Sequence, residues 1–244
     1  MTPYFSIITA VREGLHELQR TSLSLLQQTR TDFEWIVIDA ASTDGTVDWL
    51  SGLSDFQDRM HWISEPDEGI SDAWNKGISR ATGRQILILN AGDTYDKDLI
   101  ERFAREVNDH QVTCCHARLL NEVGRSVGVF HASPSSLWRG MHLPHNWCSV
   151  PHAIYSQIGQ YRRIPHAMDF DWFHRYYCKN GAGGFRVIDA ILGDYRLGGH
   201  SDIHFRDGFA ANEKILIANG MRPFLAALIR RVYTVRHLIN TKIR

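Results

Sequence analysis

Apolar positions in the first hundred residues follow two rhythms. Residues 4–11 (YFSIITAV), 33–38 (FEWIVI) and 85–89 (QILIL) are short, nearly unbroken apolar runs rich in β-branched side chains, and 61–64 (HWIS) is a weaker fourth. Such runs predict strands covered on both faces. Between them, 15–28, 46–53 and 70–82 predict helices. The last carries Ile70, Trp74, Ile78 and Ala81 at helical spacing, follows Gly69 and stops at Gly83. Strand–helix–strand alternation with short connections predicts an α/β fold, a Rossmann-like, mostly parallel sheet with helices on both faces.

Beyond Asn90 the rhythm loosens. Residues 99–107 predict a helix, 112–119 a strand and 126–131 its hairpin partner. Residues 132–166 hold four of the seven prolines among many His, Trp and Gly, which predicts loops around short helices. A helix is expected over 169–178, a break at 181–184 and a strand over 185–192. No repeat or linker separates the halves, so 1–220 is expected to form one domain, with 1–95 and 96–220 facing each other across a cleft.

Residues 221–244 differ. They contain six basic residues (Arg222, Arg230, Arg231, Arg236, Lys242 and Arg244) and no acid, leaving 21 basic against 27 acidic residues before them. Leu225, Leu228, Ile229, Val232, Val235, Ile239 and Ile243 fall along one helical stripe after Pro223. A basic amphipathic helix either lies on an anionic membrane surface or packs on the acidic remainder.

Over the whole chain of 244 residues, 27 basic and 27 acidic residues cancel, which sets aside a nucleic-acid binder. No apolar run reaches the roughly 20 residues of a membrane span, and the first residues show no signal-peptide pattern, so a cytoplasmic protein is expected. Cys114, Cys115, Cys148 and Cys178 have no metal or disulfide spacing. Five of the 13 histidines (His142, His145, His152, His166 and His174) crowd one stretch without a metal-binding spacing, and dispersed packing roles are expected for them.

Ligands of open α/β sheets bind beyond the carboxyl ends of the strands. Here FEWIVI ends in Asp39 and continues through Ser42, Thr43 and Asp44; HWIS leads to Glu65, Asp67 and Glu68, with Asp72 and Asn75 soon after; QILIL ends in Asn90-Ala91-Gly92-Asp93. Helix capping accounts for Asp44 and for Asp72. It does not account for Asp93, whose small neighbours Ala91 and Gly92 allow close approach of a ligand. Carboxylates converging on a cleft call for a hard divalent cation. No Walker or dinucleotide glycine motif is present, so a bound nucleotide must have its phosphates neutralised by a metal on Asp93, as in a nucleotide-sugar site.

These stretches, with PHAIYSQIGQYRRIPHAMDFDWFHRYYCKNG and YRLGGHS further on, resemble family-2 glycosyltransferases with a GT-A fold, especially bacterial enzymes of colanic-acid and O-antigen assembly. The resemblance covers most of residues 4–201. It implies that NAGD is the family's metal motif, with Asp93 a ligand of Mn²⁺ or Mg²⁺ and His200 near phosphate or metal. Thr9, Ala10, Arg12, Asp39, Asp67 and Asn75 then fall in the site of a UDP- or GDP-linked donor. Ala40 replaces a second acid common in the family, and Arg12-Glu13 replaces a common Tyr-Asn, which leaves the base open. The resemblance further implies that MDFDW supplies the general base, Asp169 ahead of Asp171, although a first-turn acid also suits the helix dipole. Trp147, His152 and Trp172 are candidates for stacking on sugars.

The resemblance implies an inverting hexosyl- or deoxyhexosyltransferase acting on a lipid-linked saccharide for O-antigen, capsule or exopolysaccharide. It does not cover the tail, whose composition gives 221–244 either peripheral membrane contact or packing on the body. Competing expectations are a metal-dependent nucleotide-sugar hydrolase or nucleotidyltransferase, and a non-catalytic nucleotide-sugar-binding module.

Overall fold

The structure, a computed structural model, describes residues 3–243, apart from the side chains of residues 200, 201 and 240–243. The apolar runs become β1 (Phe5–Val11), β2 (Phe33–Asp39), β3 (Met60–Ser64) and β4 (Gln85–Ile88). They alternate with α1 (Leu15–Leu26), α2 (Thr46–Gly52) and α3 (Ile70–Arg80). All three pairings within this group are parallel, in the order β3-β2-β1-β4.

Both faces are covered because successive side chains point to opposite sides. Ile8, Ile36, Ile38, Ile86 and Ile88 pack on one face with Ala73, Trp74 and Ile78 of α3. Ile7, Trp35, Val37 and Leu87 pack on the other with Leu18 and Leu25 of α1 and Leu50 of α2.

The second half adds β5 (Thr94–Tyr95), α4 (Leu99–Glu106), β6 (Val112–Leu120), β7 (Ser126–Phe130), β8 (Cys148–Pro151), α5 (His152–Ile158), α6 (Met168–Asn180) and β9 (Phe185–Arg196). It closes with α7 (His200–Ile203), α8 (Phe205–Ala218) and α9 (Pro223–Ile243). One sheet runs through both halves as β3-β2-β1-β4-β8-β6-β9-β5, with β7 paired to β6. Two departures from the sequence reading matter most, beside the short β5 and α7, which also carried no expectation. The stretch expected to hold only loops and short helices delivers β8, a central strand antiparallel to β4 and β6, and 205–218, which carried no expectation, is a helix. CSVP has neither length nor alternation; its strand character comes from the two strands on either side of it.

The sheet order places Asp93. Four strand spacings of about 4.8 Å separate β4 from β5 along the sheet. The link from Ile88 to Thr94 includes a turn closed by the Asp93 amide on the Asn90 carbonyl (3.2 Å), and is too short to span that distance along a flat sheet. The sheet therefore curls, and residues 90–93 bridge its two halves at the carboxyl rim.

Close approach of the α3–β4 connection to β1 depends on Gly83, whose amide donates to Ser6 Oγ (2.8 Å). A Cβ there would lie 2.7 Å from the Ser6 backbone nitrogen, inside a central strand. Gly83→Ala is expected to lower the unfolding free energy by about 1–3 kcal/mol, read by urea denaturation.

Candidate functional site

Strand register sets the first part of the rim. Val11 pairs with Asp39 and Asp39 with Ser64, so the ends of β1, β2 and β3 lie side by side. Asp39 is fully buried. Its Oδ2 accepts from the Ser42 amide (3.0 Å) and Ser64 Oγ (2.6 Å), while Oδ1 has no partner. A buried carboxylate oxygen left unpaired is costly unless a ligand donor reaches it. Ala10 is half-buried and Arg12 exposed beside it. Asp44 is a capping residue: Oδ1 accepts from Thr46 at the start of α2, and Oδ2 from the Leu15 amide at the start of α1.

Asp93 occupies the seam between the halves. It is 9% exposed. Oδ2 accepts a short hydrogen bond from Asn146 Nδ2, and Oδ1 accepts from the Arg196 amide at 3.3 Å. No ion pair to a side-chain cation forms among the described residues, and desolvation outweighs the two hydrogen bonds and the coulombic pull of Arg196, pushing its carboxyl up to about 7. The loop behind it is clamped by α1. Thr21 Oγ1 donates to the Asp93 carbonyl (3.0 Å) and accepts from the Gly92 amide (3.0 Å). One turn and two turns on, Ser24 Oγ accepts from the Tyr95 amide (3.4 Å), and Gln28 bonds the Asp96 carbonyl (3.0 Å) and the Ile100 amide (3.2 Å).

The fit to a divalent cation follows from this donor set. Asp93 is a hard oxygen ligand with lone pairs beyond those its two bonds use. Asn146 Oδ1, on the amide that touches it, is buried without a partner. One carboxylate plus phosphate oxygens and water is an ordinary way to hold Mg²⁺ or Mn²⁺. The one group of three His, Cys, Asp or Glu ligand atoms within 4.8 Å among the described residues is elsewhere, at His166, His204 and Asp207.

The base candidates separate in space. Asp169, in the first turn of α6, accepts from the Phe170 amide (2.8 Å), and desolvation raises its carboxyl above the usual range. Asp171 is sealed, 2% exposed, between Arg175 (2.9 Å) and Arg162 (3.6 Å). Arg175 also donates to the Gln160 carbonyl (2.8 Å) and the Ile158 carbonyl, so Asp171 anchors the loop before α6. Burial, reinforced by the negative charges of Asp202, Asp93 and Asp169, pushes the Tyr195 phenol up.

Several expectations change. Thr9 faces inward, fully buried, and accepts from Trp35 Nε1 (2.9 Å), so its side chain does not reach a nucleoside. Asn75 is used up by the Tyr161 backbone: Nδ2 donates to its carbonyl (2.9 Å) and Oδ1 accepts from its amide (3.0 Å). Trp147 and Trp172 are fully buried and offer no face to a sugar. His152 bonds the Gly83 carbonyl (3.2 Å), next to the amino end of β4 and away from the carboxyl rim. Asp67 caps its own turn through the Gly69 amide (2.9 Å). His200 begins α7, and its side chain lies outside the described residues. Asn146, Thr21 and Tyr195 join the site unforeseen.

A curled sheet with a parallel nucleotide-type half, an acid at the β4 rim and a second acid on a facing helix defines a GT-A-like domain. Residues 6–174 match Glycosyl transferase family 2, and the chain belongs to that family. It is similar to the putative teichuronic acid biosynthesis glycosyltransferase TuaG of Bacillus subtilis, 34% identical over 101 residues, or 41% of this chain and 40% of that one. The match to a PGL/p-HBAD biosynthesis glycosyltransferase of Mycobacterium bovis is 33% over 111 residues, covering 45% of this chain and 43% of that one. The matched stretch thus spans about two fifths of these curated relatives. In fold it is similar to S. aureus TarS in complex with UDP-GlcNAc (TM-score 0.67, 16% identity, 96% of this chain and 72% of that one).

The pH dependence of Asp93 follows with its sign. Its folded value, about 7, lies above the ordinary 3.8, so the native state holds a proton that the unfolded chain has released, and stability falls as pH rises through that interval. Every pH unit between the folded and unfolded values corresponds to about 1.4 kcal/mol. Without divalent ions, the stability of Asp93→Asn relative to wild type is expected to rise by a few kcal/mol across that interval, and urea titrations at several pH values check it.

Proposed function

We propose that the chain is an inverting glycosyltransferase that moves a sugar from a nucleoside-diphosphate donor to an acceptor hydroxyl in bacterial surface-glycan assembly. The observation that carries the reading is the buried Asp93 at the β4 rim, its carboxyl raised by desolvation and held by no ion pair among the described residues. The mannosyltransferase PcManGT of Pyrobaculum calidifontis supports the metal: its structure contains GDP-Man and Mn²⁺ (TM-score 0.62, 14% identity, 95% of this chain and 74% of that one). Bound at Asp93, Mn²⁺ or Mg²⁺ would supply Lewis-acid neutralisation of the departing diphosphate.

The chain's own residues do the rest. The unpaired Oδ1 of Asp39 accepts a donor from the nucleoside, and the backbone at Thr9 and Ala10 with the Arg12 side chain borders it. Asp169 takes the acceptor proton as its oxygen bonds to the sugar carbon and the bond to the diphosphate oxygen breaks. A carboxylate raised by desolvation is a stronger base than one in water, which favours Asp169 over the ion-paired Asp171. In this reading the acceptor is a lipid-linked saccharide at the inner face of the cytoplasmic membrane; the teichuronic acid and PGL/p-HBAD biosynthesis named for two relatives supports a glycan product. A hydrolase would instead have to admit water to Asp169.

Two variants test the roles. Asp93→Ala is expected to lose Mn²⁺-dependent affinity for UDP or GDP by tenfold or more, read by calorimetry; unchanged metal-dependent affinity would remove Asp93 from the donor site. Asp169→Asn is expected to keep that affinity and to lose turnover by about two to four orders of magnitude, the usual weight of a general base. Full turnover in that variant, scored as sugar transfer rather than free sugar, would move the base elsewhere.

A further inference from the structure

Helix α9 packs and projects at once. Around an axis of 3.6 residues per turn, Ala226, Arg230, Tyr233 and His237 share one side. Ala226 is buried, Arg230 pairs with Glu213 of α8 (2.5 Å), Tyr233 bonds His142 (2.6 Å) and His237 stacks on Phe205. Phe224, Leu228, Val232, Val235 and Ile239 lie on the opposite side, between 52% and 68% exposed. Arg231 and Arg236 flank this stripe and are themselves exposed. An apolar row of that length turned to water is uncommon without a partner.

We propose that this outward face docks the protein on an anionic lipid bilayer, with α9 lying in the plane of the surface. Three observations favour a lipid surface over other occupants. The helix carries positive charge only, which complements anionic headgroups and would set two copies of the stripe against each other. The arginines border the apolar row, where long side chains reach headgroups while the row enters the acyl boundary. Trp138, 44% exposed, lies two residues from Gly140, which approaches Tyr233 of α9, so the segment that meets the helix carries an exposed aromatic of the kind enriched at membrane interfaces. Among the described residues no helix is long and apolar enough to cross a membrane, so α9 lies on the surface and does not span it.

The full chain is tested by co-sedimentation with phosphatidylglycerol–phosphatidylcholine vesicles against phosphatidylcholine alone. Wild type is expected to bind the anionic vesicles at least about tenfold more strongly and to be released by salt. Val232→Asp with Val235→Asp, both outward and exposed, is expected to abolish binding while leaving circular dichroism and the thermal midpoint unchanged. Wild type remaining in the supernatant, or the double variant binding equally, overturns the proposal. A concentration-dependent dimer that disappears in the variant, without vesicle binding, overturns it in favour of a second copy.

Discussion

Asp93 holds a carboxylate with which, among the described residues, no side-chain cation forms an ion pair; the Arg196 side chain acts on it only through a coulombic pull weaker than the desolvation. Two neutral donors, the Asn146 amide and the Arg196 backbone, orient its oxygens but do not cancel its charge. Their pull is smaller than the desolvation opposing it, which is why its proton is retained to about 7. An isolated buried carboxylate is destabilising, so the arrangement makes physical sense when a cation is the missing partner. The same geometry joins the halves, because one partner comes from the short helix before β8 and the other from the end of β9.

Rigid elements fix that carboxylate. Thr21, Ser24 and Gln28 recur along the inner face of α1 and just beyond its end, and each takes a backbone group of the segment that follows β4. On the other side, Trp74 Nε1 donates to Asn90 Oδ1 (3.2 Å). Behind it, Trp74 packs edge-on against His145 and Tyr161. His145, bonded to the Tyr161 hydroxyl (2.9 Å), is pushed down to about 3 by burial. Of the crowded histidines, His145 thus walls this corner of the site, whereas His152 bonds the Gly83 carbonyl and His142 bonds Tyr233 of α9.

The parallel half was legible because each buried strand is a compact apolar run and each helix carries its own stripe. Asp93 stood out because capping did not explain it. The misplaced residues had readable signals too. Thr9 shares its side of β1 with Ile7 and Val11, both core positions, so alternation already points it inward. Asp171 has Arg175 one helical turn on, the spacing of an ion pair, whereas Asp169 has no such partner. What sequence distance hid were the long-range bonds: Asn75 with Tyr161, and Asn146 with Asp93. β8 was hidden for the same reason, since four residues become a strand only between two neighbours. In α9 the stripe was visible, but which part of the surrounding surface packs could be known only once Tyr233 met His142.

The most direct measurement is a carbon-13 NMR titration of the Asp93 side-chain carboxyl, with and without Mg²⁺ and UDP. Half-titration of the metal-free protein near pH 7, moving to lower pH when both ligands are added, is the result predicted by a buried carboxylate awaiting a cation. Half-titration near the ordinary aspartate value of 3.8, with no response to the ligands, would contradict it.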